Sequence, residues 1–171
     1  SYGRQILGIT ADDICFSVPK IFFAYGFGNS LTFPFSVGAT TVLLPGHPDP
    51  ARIFDCIEHY RPTLFFGLPT LYTALCRADE ASSRNLSSIR RSISAAETLS
   101  GEIYDAWKDL CGHGPTEGLG STELLHIYLS NRHTDQRVGS AGSRVPGFEI
   151  RLETLNGERA KVGEEGVMLV R

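Results

Sequence analysis

Short runs rich in Val, Ile and Phe alternate along this chain with stretches of helical length, and this alternation limits the possible folds most strongly. Strands buried on both faces read as continuous apolar runs, and parallel neighbours need a crossover helix between them. The sequence therefore predicts an α/β fold with an open, mostly parallel sheet and helices on both faces. The predicted strands are Ile14 to Val18, Thr41 to Leu44, Thr63 to Gly67 and Arg91 to Ala95.

Three helices are predicted between and after these strands. In the first, Asp49 to Tyr60, the apolar residues recur at helical spacing, and the following Arg61-Pro62 pair opposes its continuation. The second is Pro69 to Ala78. The third is Ser100 to Leu110, where Ser100 is a favourable N-cap and Glu102 lies in the first turn, near the positive end of the helix dipole.

The composition changes after His133, where glycines and Pro146 become frequent. The segment Phe148 to Leu152 is followed by an Asn156-Gly157 turn and a second segment at Gly166 to Arg171, a pattern typical of a hairpin or barrel fragment. We therefore expect an α/β unit over residues 1–135 and the start of a small, barrel-like β subdomain over residues 136–171.

The charge and cysteine patterns argue against several classes of partner. The chain has 16 basic and 19 acidic residues without a basic run, so a nucleic-acid partner is not expected. No apolar stretch approaches the roughly 18 residues that a membrane span requires. Four widely spaced cysteines without a CxxC pair predict reduced thiols and a cytoplasmic location. The sequence does not indicate an oligomeric state.

Two stretches are candidates for a ligand site on the residues alone. Phe22 to Asn29 combines aromatic residues with glycine, which could receive a flat apolar ligand, although aromatic residues beside a strand end are ordinarily core. Ser94 to Thr98 places small and polar residues at a predicted strand end, where open α/β sheets bind ligands. Ordinary packing is the alternative interpretation of both.

A third candidate is the segment Gly118 to Glu123, which joins two glycines to a hydroxyl group and a carboxylate. If a helix begins here, Thr122, Glu123 and His126 share one helical face. A Thr hydroxyl suits a phosphate, and a Glu carboxylate suits Mg²⁺, which prefers hard oxygen ligands. Local helix capping is the alternative explanation for the same residues.

Considered together, these segments resemble the adenylate-forming, AMP-producing acyl- and aryl-CoA ligase family, and most closely its benzoate-CoA ligase branch. The resemblance covers nearly the whole chain and identifies it as an internal part of the N-terminal domain. It is carried by Lys20 to Asn29, Phe35 to Leu44, Gly67 to Tyr72, Gly120 to Asn131 and Gly139 to Gly142.

The resemblance implies a two-step reaction. A carboxylic acid and ATP give an acyl-adenylate and pyrophosphate, and the coenzyme A thiol then displaces AMP. The implied substrates are benzoate or a hydroxybenzoate, ATP and coenzyme A, with Mg²⁺ as cofactor. A related possibility is an adenylating domain that loads a carrier protein, and a third is a non-catalytic module that binds an aromatic acid or a nucleotide.

The resemblance also implies roles for individual residues. Thr122 and Glu123 are the implied catalytic residues, with Thr122 at the nucleotide phosphate and Glu123 at Mg²⁺. The implied contacts of the aryl acid are Ala24, Tyr25, Gly26, Ala95, Gly120 and His126. The implied nucleotide contacts are Ala96, Glu97, Thr98, Gly118, Leu119, Ser121 and Thr122.

The sequence departs from the family pattern in two places. Ala96 stands where the family commonly has Gly, which lowers the freedom of the backbone near the adenine. Gly112 to Glu117 stands where an apolar strand is usual, and it imitates the Gly-x-Thr-Glu motif. The register that ends at Glu123 is preferred because Leu125-His126 and Ser130-Asn131 follow it.

Several family elements are expected to lie outside this sequence. They are the phosphate loop before Ser1, the ribose-binding Asp after Arg171 and the catalytic Lys of a C-terminal lid domain. We therefore expect the isolated 171-residue chain to form no adenylate.

Overall fold

The computed structural model describes residues 2–171 as a sheet of seven strands flanked by helices, followed by a separate hairpin. The helices are α1 (Tyr2–Gln5), α2 (Ala24–Phe27), α3 (Phe33–Phe35), α4 (Pro50–Tyr60), α5 (Pro69–Cys76) and α6 (Gly101–Cys111), with a π-helix at Gly28–Thr32 and a 3₁₀-helix at Ala81–Ser83. The strands are β1 (Ile14–Ser17), β2 (Thr40–Val42), β3 (Leu64–Gly67), β4 (Arg91–Ser94), β5 (Thr116–Gly120), β6 (Ile127–Ser130), β7 (Ser143–Arg144), β8 (Ile150–Glu153) and β9 (Val167–Val170).

The seven-stranded sheet confirms the predicted fold class. Its order is β2-β1-β3-β4-β5-β6-β7, in which the first five strands pair in parallel and β6 and β7 are antiparallel. The four predicted strands and three predicted helices are present, with ends that differ by one or two residues. Asp49 caps α4 by accepting from the Arg52 amide at 3.0 Å, and Ser100 caps α6 as predicted.

Two apolar clusters cover the two faces of the sheet. Because side chains alternate along a strand, the neighbours Phe65 and Phe66 of β3 enter different clusters. Phe65 packs with Phe54 of α4 and Trp107 of α6, whereas Phe66 lies with Tyr2 of α1. This arrangement confirms helices on both faces.

No helix begins between Gly118 and Glu123, so the condition for a shared helical face is not met: β5 runs from Thr116 to Gly120 and the chain turns back into β6 at Ile127. Thr122, Glu123 and His126 therefore lie in a hairpin connection and share no helical face. Close packing explains the two glycines: a Cβ at Gly118 would lie 2.9 Å from the Ile127 side chain, and one at Gly120 would lie 2.4 Å from the His126 carbonyl. The segment that imitates the motif also enters β5, at Thr116-Glu117.

The C-terminal part forms the predicted hairpin, because β8 and β9 pair antiparallel as a separate two-stranded sheet. The domain boundary near residue 135 and the barrel-like character stay predictions. The four cysteines are free. In the described part of the chain, no helix is long and apolar enough to cross a membrane.

A buried carboxylate joins three strands at the amino edge of the sheet. Asp13, before β1, accepts from Arg90 Nε at 2.8 Å, Arg90 Nη2 at 2.6 Å and Thr63 Oγ1 at 2.6 Å. Thr63 precedes β3 and Arg90 precedes β4, so one side chain fixes three neighbouring strands. Burial raises the pKa of Asp13, but the hydrogen bonds from Arg90, Thr63 and Thr10 outweigh it and hold this pKa well below its usual range.

We expect Asp13→Asn to lower the free energy of unfolding by about 2 to 3 kcal/mol near neutral pH, because the partly buried Arg90 charge loses its partner. A carboxylate whose pKa is lowered by folding makes its full contribution to the free energy of unfolding above its unfolded-state pKa of about 3.9. That contribution decreases as the pH falls toward the folded-state pKa. Urea unfolding at about pH 7 and about pH 3.5 should therefore show a smaller gap between wild type and variant at the lower pH. The exposed neighbour Asp12, changed to Asn, is the control; an equal gap at both pH values would contradict this role.

Candidate active site

A cavity of about 290 Å³ lies where the parallel strands end. Its walls come from the residues that leave the strands: Pro19 after β1, Leu68 after β3, Ala95 after β4 and Gly120 at the end of β5. The carboxyl edge of a parallel sheet is where open α/β folds bind ligands. The fold therefore brings the three candidate segments of the sequence together at one edge.

Five of the six predicted acid contacts line this cavity. They are Ala24, Tyr25, Ala95, Gly120 and His126. The sixth, Gly26, is buried in α2 behind the cavity wall, where a Cβ would lie 2.1 Å from the Lys20 carbonyl oxygen.

Three of the predicted nucleotide contacts, Ala96, Ser121 and Thr122, also line the cavity. Glu97 and Thr98 lie on the exposed turn after β4, outside the lining. Gly118 and Leu119 lie within β5, where they pair with Ser130 and Leu129 of β6.

Four lining residues were not among the individually predicted contacts: Pro19, Phe23, Leu68 and Ile127, although Phe23 belongs to the candidate stretch Phe22 to Asn29. Leu68 could have been found from strand pairing, because it follows β3 as Ala95 follows β4, and the pair Gly67 and Ser94 sets that register. Phe23 lies just before α2 and presents a largely exposed ring at the cavity.

His126 is held as a neutral imidazole against the wall of the cavity. Its Nε2 donates to the Tyr25 carbonyl at 3.3 Å, and its ring centroid lies 5.4 Å from that of Tyr25 and 4.6 Å from that of Phe33. Burial lowers the pKa of His126 to about 4, although the bond to the Tyr25 carbonyl opposes this shift. The imidazole is uncharged near neutral pH, and its buried Nδ1 has no hydrogen-bond partner within residues 2–171.

Two further contacts fix the rings around His126. The Tyr25 hydroxyl donates to the Ile93 carbonyl of β4 at 3.3 Å, which ties α2 to the sheet. Gly28 leaves space for the imidazole, because a Cβ there would lie 2.3 Å from His126 Cδ2. The aromatic wall is therefore built by α2 and the π-helix on one side and by the β5–β6 connection on the other.

The β5–β6 connection brings Thr122 into the cavity lining, whereas Glu123, the next residue, is exposed and lies outside that lining. The Leu125 amide donates to the Thr122 carbonyl at 3.0 Å, and Leu125 has a φ of 69°, so the segment forms a tight turn. Hydrogen bonds from its own backbone amide and from the Ser121 hydroxyl lower the pKa of the exposed Glu123. Glu123 is therefore ionised at neutral pH.

A single ionised carboxylate beside a Thr hydroxyl suits Mg²⁺, which usually keeps several waters and phosphate oxygens as ligands. Across residues 2–171, no three His, Cys, Asp or Glu side chains gather as a metal site. The residues present would thus contribute Glu123 to a Mg²⁺ ion held mainly by its substrate.

Ala96 occupies a backbone conformation that favours glycine, with a φ of 73°. The next residue, Glu97, accepts hydrogen bonds from both the amide (3.1 Å) and the hydroxyl of Thr70 at the start of α5. The departure from the expected glycine therefore places an alanine in a strained backbone conformation.

An open parallel sheet with a cavity at its carboxyl edge, beside a glycine-containing turn, defines an α/β ligand-binding domain. The chain matches the AMP-binding enzyme family over residues 2–171 and therefore belongs to that family.

Relatives and solved structures with named substrates cover nearly all of the chain. It is 40% identical over 166 residues to the benzoate–CoA ligase of Thauera aromatica, covering 97% of this chain and 31% of that protein. It is 37% identical over 169 residues to the 4-hydroxybenzoate–CoA/benzoate–CoA ligase of Rhodopseudomonas palustris, covering 98% and 31%. The crystal structure of the anthranilate CoA ligase AuaEII in complex with anthranoyl-AMP superposes with a TM-score of 0.96 at 38% identity, over 99% of this chain and 33% of that one. The chain thus spans about a third of the length of the proteins it matches.

Replacing Ala96 by Gly tests the strain in the turn after β4. A left-handed conformation costs a non-glycine residue about 1 to 2 kcal/mol, whereas glycine adds about 0.4 to 1 kcal/mol of unfolded-state entropy. We expect Ala96→Gly to raise the free energy of unfolding by several tenths of a kcal/mol up to about 1 kcal/mol, measured by urea unfolding. Ala11→Gly, at an exposed residue without positive φ, should be destabilising. Equal destabilisation by both changes would show that Ala96 is unstrained.

Proposed function

We propose that the complete protein is an ATP-dependent aryl-CoA ligase that activates benzoate or a hydroxybenzoate as an acyl-adenylate and transfers it to coenzyme A. The observation that carries this proposal is the position of the cavity. An aromatic-walled slot opens directly onto the turn that contains Gly120, Ser121 and Thr122. A flat acid in the slot would therefore present its carboxylate to a nucleotide phosphate at the turn.

The acid would lie against Tyr25 and His126, with the small residues Ala24, Ala95 and Gly120 leaving space for its ring. Gly26 would act behind the wall, by letting α2 approach the Lys20 backbone. Apolar walls with a few fixed polar atoms are typical of small-molecule sites. Because His126 is neutral, it offers no positive charge to a substituent on the acid, which favours an acid with an uncharged aromatic ring over one that carries a second carboxylate.

The nucleotide would extend from the cavity mouth along the strand ends. The turn at Ala96, Glu97 and Thr98 would border the adenine, with Gly118 and Leu119 on its other side. Ser121 and the Thr122 hydroxyl would contact the phosphates, and Glu123 would hold Mg²⁺. When bound, Mg²⁺ would neutralise negative charge on the phosphate oxygens.

Catalysis by these residues would rest mainly on positioning. The aromatic slot would hold the acid in one plane, while the Thr122 hydroxyl would donate to a phosphate oxygen on which charge develops. The apolar walls would give water few hydrogen-bond partners near an acyl-adenylate. Free cysteines and the use of ATP and coenzyme A favour the cytoplasm as the location.

The direct test is an assay of the full-length protein with ATP, Mg²⁺, benzoate or 4-hydroxybenzoate, and coenzyme A. We expect pyrophosphate release that depends on the aromatic acid and an aryl-CoA product. Glu123→Gln should slow adenylate formation, whereas Glu165→Gln, an exposed change far along the chain, should not. Transfer of the acyl group only to a carrier-protein thiol would instead support a carrier-loading enzyme. Absence of acid-dependent pyrophosphate release would contradict the proposal.

His126→Ala in the full-length protein should change acid preference more than ATP use. A buried polar atom that gains or loses a partner is worth about 1 to 3 kcal/mol, so the kcat/KM ratio of hydroxybenzoates to benzoate should change by roughly tenfold. The KM for ATP should change by less than about twofold, since His126 faces the acid slot. The exposed His133→Ala is the matched control. Unchanged relative rates across substituted benzoates would exclude His126 as a specificity residue.

A further inference from the structure

We infer that the Glu97 carboxylate is a positioning group, which fixes the cavity wall by joining the turn after β4 to the first turn of α5 through Thr70. Its effect on catalysis rests on the proposed ligase function. Its effect on the structure does not.

Strand register places the two residues side by side. Strands β3 and β4 pair in parallel, with Gly67 opposite Ser94. Thr70 and Glu97 each lie three residues beyond this pair, so the two turns leave the sheet in step. Leu68 and Ala95, one residue beyond the pair, both line the cavity. The contact between Glu97 and Thr70 therefore lies directly behind the wall that these two residues form.

The start of α5 needs a hydrogen-bond acceptor from elsewhere in the chain. The first backbone amides of a helix have no intrahelical partner, and the N-cap residue of α5 is Leu68, whose side chain cannot accept a hydrogen bond. Glu97 supplies the acceptor, because its carboxylate oxygens accept from the Thr70 amide and the Thr70 hydroxyl. Negative charge at a helix N-terminus is also favourable.

A second bond joins the same elements on the buried side. The Tyr72 hydroxyl donates to the Ile93 carbonyl of β4 at 2.8 Å. Helix α5 is thus attached in the core to β4, through Tyr72, and at the surface to the turn after β4, through Thr70 and Glu97. That bond holds the turn that contains Ala96.

The strained conformation of Ala96 makes the turn depend on the bond between Glu97 and Thr70. A φ of 73° strains a residue with a side chain, so relaxation of Ala96 would favour movement of Glu97 away from α5 once the bond to Thr70 is lost. The Glu97 carboxylate is hydrogen-bonded to Thr70 and holds the turn in place. Contact with an adenine would therefore come from the backbone of Glu97. Loss of the carboxylate should widen or loosen the wall at Ala95 and Ala96.

The experiment compares Glu97→Ala, Glu97→Gln, Thr70→Val and the double variant Glu97→Ala/Thr70→Val in the full-length protein, with Glu165→Ala as control. We expect Glu97→Ala to lower the unfolding midpoint by about 2 to 4 °C and to raise the KM for ATP about fivefold with a smaller change in kcat. Glu97→Gln should retain most of both properties, because its amide oxygen still accepts from Thr70. Thr70→Val should move both properties in the same direction by less, and the double variant should be no worse than Glu97→Ala.

Direct recognition of the nucleotide by the carboxylate would give the opposite pattern. Glu97→Gln would then be as damaging as Glu97→Ala, Thr70→Val would leave the KM for ATP unchanged, and the two effects would add. If the wild type has no acid-dependent activity, the ligase proposal fails, but the unfolding midpoints still decide the structural inference. A midpoint for Glu97→Ala equal to that of wild type would overturn it.

Discussion

The parallel pairing of β1, β3, β4 and β5 is the constraint on which the rest of the structure depends. Parallel neighbours end at the same edge, so the residues that leave these strands must meet there, and the cavity is lined by them. At the opposite edge, Asp13 joins the starts of β1, β3 and β4. A buried, hydrogen-bonded carboxylate at one edge therefore fixes the register of strands whose other ends line the cavity. The stabilising contact and the cavity thus lie at opposite edges of the same sheet.

The antiparallel return of β6 adds what a purely parallel sheet would lack. It turns the chain back over the cavity and places His126 against Tyr25, which comes from α2 on the far side. The contact depends on close approach, because a side chain at Gly28 or Gly120 would collide with His126. The two distant segments of this aromatic wall support each other, since the His126 and Tyr25 rings are in contact and Tyr25 is bonded to the sheet.

Local signals explain which parts of the fold were predicted. The α/β class and the first four strands follow from apolar runs, and the Ser100 cap follows from its own side-chain chemistry. Asp49 was predicted as the first helical residue, whereas it is the N-cap of α4. The β5–β6 hairpin was missed because Gly118 to Glu123 reads locally as the start of a helix, whereas its strand conformation is imposed by pairing with β4 and β6. The residues of the site came from the family resemblance. The hydrogen bond between Glu97 and Thr70 depends on how β3 and β4 are aligned, and this alignment cannot be read from either segment of the sequence alone.

The turn after β4 holds Ala96 in a conformation that favours glycine, the residue that the family resemblance leads us to expect there. Glycine would adopt the positive φ of residue 96 without strain, but it would also free the backbone beside the proposed adenine site. Alanine limits that freedom at a cost of about 1 to 2 kcal/mol in backbone strain. The hydrogen bonds that Glu97 accepts from Thr70 oppose relaxation of the same turn. The strained residue, Ala96, directly precedes Glu97, whose contact with Thr70 holds the turn, so the two features act on the same backbone segment. Such a turn would be pre-organised for the proposed nucleotide, because the ordering of its backbone is completed during folding rather than during binding.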